Sequence, residues 1–110
     1  MQIKETTNYT LISSDEKSLK EFQKLVFEKI NNFEKIHLIL HISEELNIEK
    51  KDFLLFLTVA EKKKENGTSF VIFNTSVNSD DYPEHLNIVP TLQEAEDILE
   101  MEAIERELGF

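Results

Sequence analysis

The sequence predicts an α/β fold: a mixed β-sheet with parallel central strands and three main helices packed mostly on one face. Three observations carry this. Segments with apolar residues at every second position alternate with segments whose apolar residues recur every three or four. Ser13 with Glu16 and Thr91 with Glu94 have Ser/Thr-x-x-Glu spacing ahead of apolar runs, where helices begin. The 110 residues are 40% hydrophobic with two Gly and two Pro, enough for one core but not for two. A single domain over 1–110, in the order ββαβαββα, is the expectation.

Residues 2–13 are rich in Ile, Thr and Tyr, and Asn8 suits a turn between two short strands. Ser13 and Glu16 have capping-box spacing and mark a helix start. Leu19, Phe22, Val26, Ile30 and Phe33 then form one stripe among Lys and Glu, the pattern of an amphipathic helix ended by Asn31-Asn32. In residues 35–42, Ile36, Leu38, Leu40 and Ile42 share one strand face, and His37, Ile39 and His41 share the other. A second helix follows Ser43–Lys51. Phe53, Leu54, Phe56, Leu57 and Ala60 crowd its first half, and Glu61 to Glu65 are expected in solvent. Gly67 is placed to cap it in the left-handed conformation.

Phe70 to Phe73 is a strand apolar on both faces, and Asn74 to His85 is a turn-rich loop. Leu86 to Val89 is a short last strand. Thr91 and Glu94 make the second capping box. Leu92, Ala95, Ile98 and Leu99 form the inner stripe of the last helix, and Met101, Ile104 and Leu108 extend it toward the terminus.

Composition excludes several classes. Without Cys there are no disulfides, thiolate metal sites or Cys nucleophiles. No apolar run reaches the roughly 20 residues of a membrane helix, and the first residues carry no signal-peptide pattern, so a cytoplasmic protein without membrane insertion is expected. Residues 1–75 hold 11 Lys against 12 Asp and Glu, a net of −1; residues 76–110 hold one Arg against 10 acids, a net of −9. Such a field repels phosphates, so no nucleic-acid partner is expected. The acidic last third is either a solvated helix face or a docking helix for a basic partner.

From residue 36 to about 99 the chain resembles the STAS domain of anti-sigma-factor antagonists and sulfate-transporter tails. In that family a hydrophobic strand ends in Asp-Leu-Ser, five residues follow, and Asp-Ser-Ser-Gly opens a helix, with a Gly about 15 residues later. Here the strand ends His41-Ile42-Ser43, five residues follow, the motif position reads Glu49-Lys50-Lys51-Asp52, and Gly67 comes 15 residues after Asp52. Thr91 and Glu94-Ala95 match the opening of the family's last helix. The resemblance implies the STAS fold and a regulatory module acting by protein–protein contact. Antagonists in the family are switched by phosphorylation of a motif Ser, which adds charge at a helix start. Both Ser positions are Lys here, so that switch is absent at this site or moved to another residue.

Glu49, Lys50, Lys51 and Asp52 are therefore the candidate partner-docking residues, with ordinary solvation as the alternative. A monomer or weak homodimer with a protein partner and no cofactor is expected. The alternative function is small-ligand sensing, of a nucleotide or lipid, since some STAS-like domains are described as binding such ligands. With two Gly there is no glycine-rich phosphate cradle. Enzymatic activity is not expected. No zinc-protease, nucleophile-elbow or P-loop pattern occurs. The His/Asp-rich zinc motif that a ribonuclease Z-type hydrolase needs is missing too. His37 and His41 lie on one strand face roughly 13 Å apart, too far to share an ion. His85 with Asp80, Asp81 and Glu84 is conceivable as a weak divalent site, though loop carboxylates are ordinarily just solvated.

Overall fold

Five strands form one sheet in the order β1 (Gln2–Glu5), β2 (Thr10–Ser13), β3 (Leu38–His41), β4 (Phe70–Phe73), β5 (Asn87–Val89). The structure is a computed structural model and describes residues 1–16, 18–33, 35–43, 50–75 and 86–109. β1 and β2 pair antiparallel, and β2 through β5 pair parallel, with Ile12 opposite Leu40, Leu40 opposite Ile72, and Ile72 opposite Ile88. The hairpin turn is closed by the Thr6 N–H donating to the Tyr9 carbonyl at 2.8 Å, while the Thr6 hydroxyl accepts from the Tyr9 N–H. The fold class is the one the sequence predicts, and its mixed sheet is compatible with a STAS-like build.

The helices are α1 (Leu19–Lys29), continued as a 3₁₀ turn over Ile30–Phe33; α2 (Lys50–Leu54); α3 (Leu57–Glu65); and α4 (Leu92–Glu107). α1, α2 and α3 cover one face, where Phe22, Val26, Phe53, Phe56 and Val59 pack on the sheet residues Ile12, Leu38, Leu40, Ile72 and Ile88. α4 covers the other, with Ala95 and Leu99 against Ile39, Val71 and Phe73. Burial on both faces explains why Phe70 to Phe73 reads as a continuous apolar run.

Several expectations are corrected. α1 starts later than Ser13. Its cap is Ser18, whose hydroxyl accepts from the Glu21 N–H at 3.2 Å, a Ser-x-x-Glu box of the same spacing. Ser13 instead extends β2 opposite His41, Ser14 accepts from the Ser43 N–H, and Asp15 and Glu16 pair with the Met1 amino group. The second predicted helix is two. Leu55 and Phe56 donate to the Asp52 and Phe53 carbonyls three residues back, a 3₁₀-type turn. Three residues per turn keeps Phe53 and Phe56 on the buried side and turns Leu55 out.

Lys63, expected in solvent, is 2% exposed. Its ammonium donates to the carbonyls of Phe33 and Ile36, beyond the end of α1. The Phe33 carbonyl, which also accepts from the Ile36 N–H at 3.2 Å, ends the 3₁₀ turn, where a cation meets the negative end of the dipole. Ile36, expected on the core face, is partly exposed. Met101, Ile104 and Leu108 do not extend the inner stripe: they are 54%, 56% and 66% exposed.

Two helix ends match the expected chemistry. Gly67 has φ of +75°; its N–H donates to the Lys64 carbonyl and the Thr68 N–H to the Lys63 carbonyl, closing α3. The Thr91 hydroxyl accepts from the Glu94 N–H at 3.2 Å and opens α4. No helix of the described residues is long and apolar enough to cross a membrane.

Candidate functional site

The sequence directs attention to the start of α2. β3 delivers the chain to the carboxyl edge of the parallel strands, and α2 begins at Lys50. Glu49 and the side chain of Lys50 lie outside the described residues. Lys51 is exposed on the first turn and Asp52 is half-buried. An acid in a first turn is electrostatically favoured by the helix dipole. Gln23 of α1 donates its side-chain amide to the Asp52 carbonyl at 3.1 Å, which ties α1 to α2 at this point. The surface is therefore anchored on two helices.

Next to it lies a feature the sequence does not announce. α1 and α3 diverge around an apolar groove of about 400 Å³, with Phe27 and Leu55 at its mouth, Ile30 and Val59 along it, and Asn31 and Lys62 at its polar part. Leu55 is 54% exposed, three residues beyond Asp52. The Phe27 ring stands 5.6 Å from that of buried Phe56, so the exposed ring is braced by the core. The signal in the sequence was Leu55 itself, the middle of five consecutive large apolar residues, Phe53 to Leu57, that one helix face cannot wholly bury.

A second cavity, about 260 Å³, opens on the α4 side and is lined by Asn8, Tyr9, His37, Glu96, Leu99 and Glu100 among others. The Tyr9 hydroxyl donates to Glu96 at 3.3 Å. Burial first, then the Glu96 charge and that hydrogen bond, raise the Tyr9 pKa above its ordinary value. His37 Nδ1 accepts from the Ser69 N–H at 3.0 Å, which places the proton of the neutral ring on Nε2. Burial chiefly, then the positive charges of Arg106 and Lys63, lower the His37 pKa against an opposing effect of Glu102. Arg106 donates to the Ser69 hydroxyl at 3.1 Å, and Asn87 donates to Glu102. Tyr9 and Glu96 are 87 residues apart, and only the packing of α4 across the sheet brings them together.

His41 does not join this cavity; its ring stacks on Phe73 at 4.3 Å. Among the described residues no group of three or more His, Cys, Asp or Glu is arranged to hold a metal ion. His85, Asp80, Asp81 and Glu84 lie outside the described residues. No protein-family model matches the chain. No curated protein matches it either.

Proposed function

We propose that this chain is a non-catalytic, STAS-like protein-interaction module that lacks the phosphorylatable Ser of that family. It engages its partner through Glu49, Lys50, Lys51 and Asp52 together with the groove lined by Leu55, three residues beyond Asp52. The observation that carries this reading is the groove. Phe27 and Leu55 expose large apolar surface in a groove also lined by the polar Asn31, Lys62 and Asn66, the composition of an interface core with a polar border. Two Lys at the resembled Ser positions put fixed positive charge where the family places a switchable negative one.

The test is capture of a stoichiometric protein partner by the wild type, the K50E/K51E variant and the L55S variant. Loss of capture in both variants at unchanged melting temperature supports the reading. Capture that ignores both substitutions overturns it. The second reading, small-ligand sensing, rests on the cavity at Tyr9, His37 and Glu96. The carboxylates there oppose a phosphate-bearing nucleotide. A thermal shift with nucleotides or lipids that is lost in Tyr9→Ala would favour this second reading.

A further inference from the structure

We propose that the outer face of α4 is a docking surface for a basic amphipathic helix of another protein. α4 has two apolar stripes on opposite sides. The inner one, Ala95 and Leu99, packs on the sheet. The outer one is Met101, Ile104 and Leu108, each more than half exposed. Their spacing of three and four sets them on one line roughly 10 Å long at 1.5 Å per residue. Gly109, with φ of +84°, donates to the Arg106 carbonyl and closes the helix, so Leu108 is held at the end of the stripe.

The charge around the stripe selects the occupant. α4 carries seven acids and one Arg. Glu94, Asp97, Glu100, Glu105 and Glu107 are exposed. At 3.6 residues per turn, Glu105 flanks the stripe on one side and Glu100 and Glu107 on the other, and Glu94 and Asp97 stand ahead of it along its own line. Arg106, the one cation of the helix, turns inward to Ser69. The outer face is thus an apolar line with carboxylates on both flanks. A second copy would oppose two such helices, acid against acid, which is unfavourable in the way that like charges flanking a helical interface are. A surface rich in anionic lipid is repelled for the same reason. A helix with apolar residues at i, i+3 and i+7 and Lys or Arg on both flanks satisfies both features at once. α4 and the start of α2 lie on opposite faces of the sheet, so this surface stands or falls independently of residues 49–52.

The probe is a synthetic Leu/Lys helix with leucines at i, i+3 and i+7, and its counterpart with Glu in place of Lys. Binding to the full chain is measured by fluorescence anisotropy at low and moderate salt, with amide NMR shifts to locate it. The expected result is one peptide per chain, shifts centred on residues 97–108, and weaker binding as salt rises. The Glu peptide binds at least tenfold more weakly. M101S/I104S/L108S keeps every charge and its melting temperature but weakens the Lys peptide at least tenfold; E100K/E105K, which reverses one charge on each flank, weakens it at least tenfold as well. The proposal is overturned if the triple Ser variant binds as tightly as wild type, since attraction is then charge alone. It is equally overturned if the shifts map elsewhere, or if the free protein sediments as a dimer that the triple variant breaks.

Discussion

Lys63 offers the sharpest test of the packing. Its stem crosses the core side of α3 and its ammonium serves the Phe33 and Ile36 carbonyls. Lys63→Met keeps the stem and removes the donor. Hydrogen bonds from a charged donor contribute about 1.5–3 kcal/mol each, and once the ammonium is removed the Phe33 carbonyl keeps the Ile36 N–H. Relief of the lysine's own burial offsets part of this. The net expectation is a loss of about 3 kcal/mol. A 110-residue domain unfolds with roughly 2.1 cal/mol/K per residue, so each kcal/mol lowers Tm by roughly 4 °C and the variant melts roughly 13 °C lower. Lys64, the next residue, is exposed. Lys64→Met should stay within about 0.5 kcal/mol of wild type. Urea midpoints followed by circular dichroism give both values. Equal stability of the two variants would refute the argument that Lys63 completes the end of α1.

Four further outcomes are expected. Ser18→Ala should cost about 1 kcal/mol in urea unfolding, as helix caps do, and Ser13→Ala less than half of that, because Ser18 and not Ser13 opens α1. Gly67→Ala should cost about 1–2 kcal/mol from backbone strain alone, since φ is +75° and a Cβ there meets nothing within 4 Å. His37 has a folded-state pKa below its ordinary 6.5. Its contribution is therefore fully present above that value and is lost as pH falls toward and through the lowered one. Stability measured between pH 7.5 and 5 should fall less steeply in His37→Asn, and the ring's NMR titration midpoint should lie below 6.5. Arg106→Ala should free the Ser69 hydroxyl and raise that midpoint, because the guanidinium helps keep the imidazole neutral.

The elements were legible because each has a short-range cause. Thr91-x-x-Glu94 opens α4 and Gly67 closes α3 through hydrogen bonds that span three to five residues. Period-2 apolarity placed Leu38, Leu40 and Ile42 on one face of β3 and Ile39 on the other. Where two boxes of equal spacing compete, as at Ser13 and Ser18, local rules do not choose between them. Pairing of Ser13 with His41 across the sheet decides.

The candidate site was legible only as charge. Residues 50–52 read as a polar helix start, and they do open α2, but the groove of Phe27 and Leu55 needs α1 and α3 side by side. The cavity of Tyr9, His37 and Glu96 needs both ends of the chain. Arg106 counted as one positive charge among acids until its hydrogen bond to Ser69 gave it a direction.

The amino-acid order alone therefore determined the alternation of strands and helices, the helix ends at Gly67 and Thr91, and the acidic bias of the last third, since periodicity and hydrogen-bond spacing act over a few residues. Tertiary structure decided which apolar residues stay in water. Met101, Ile104 and Leu108 fit a helical stripe as well as Ala95 and Leu99 do. A helix crossing a sheet can bury only one side of itself, and the sheet takes the side that carries Leu99.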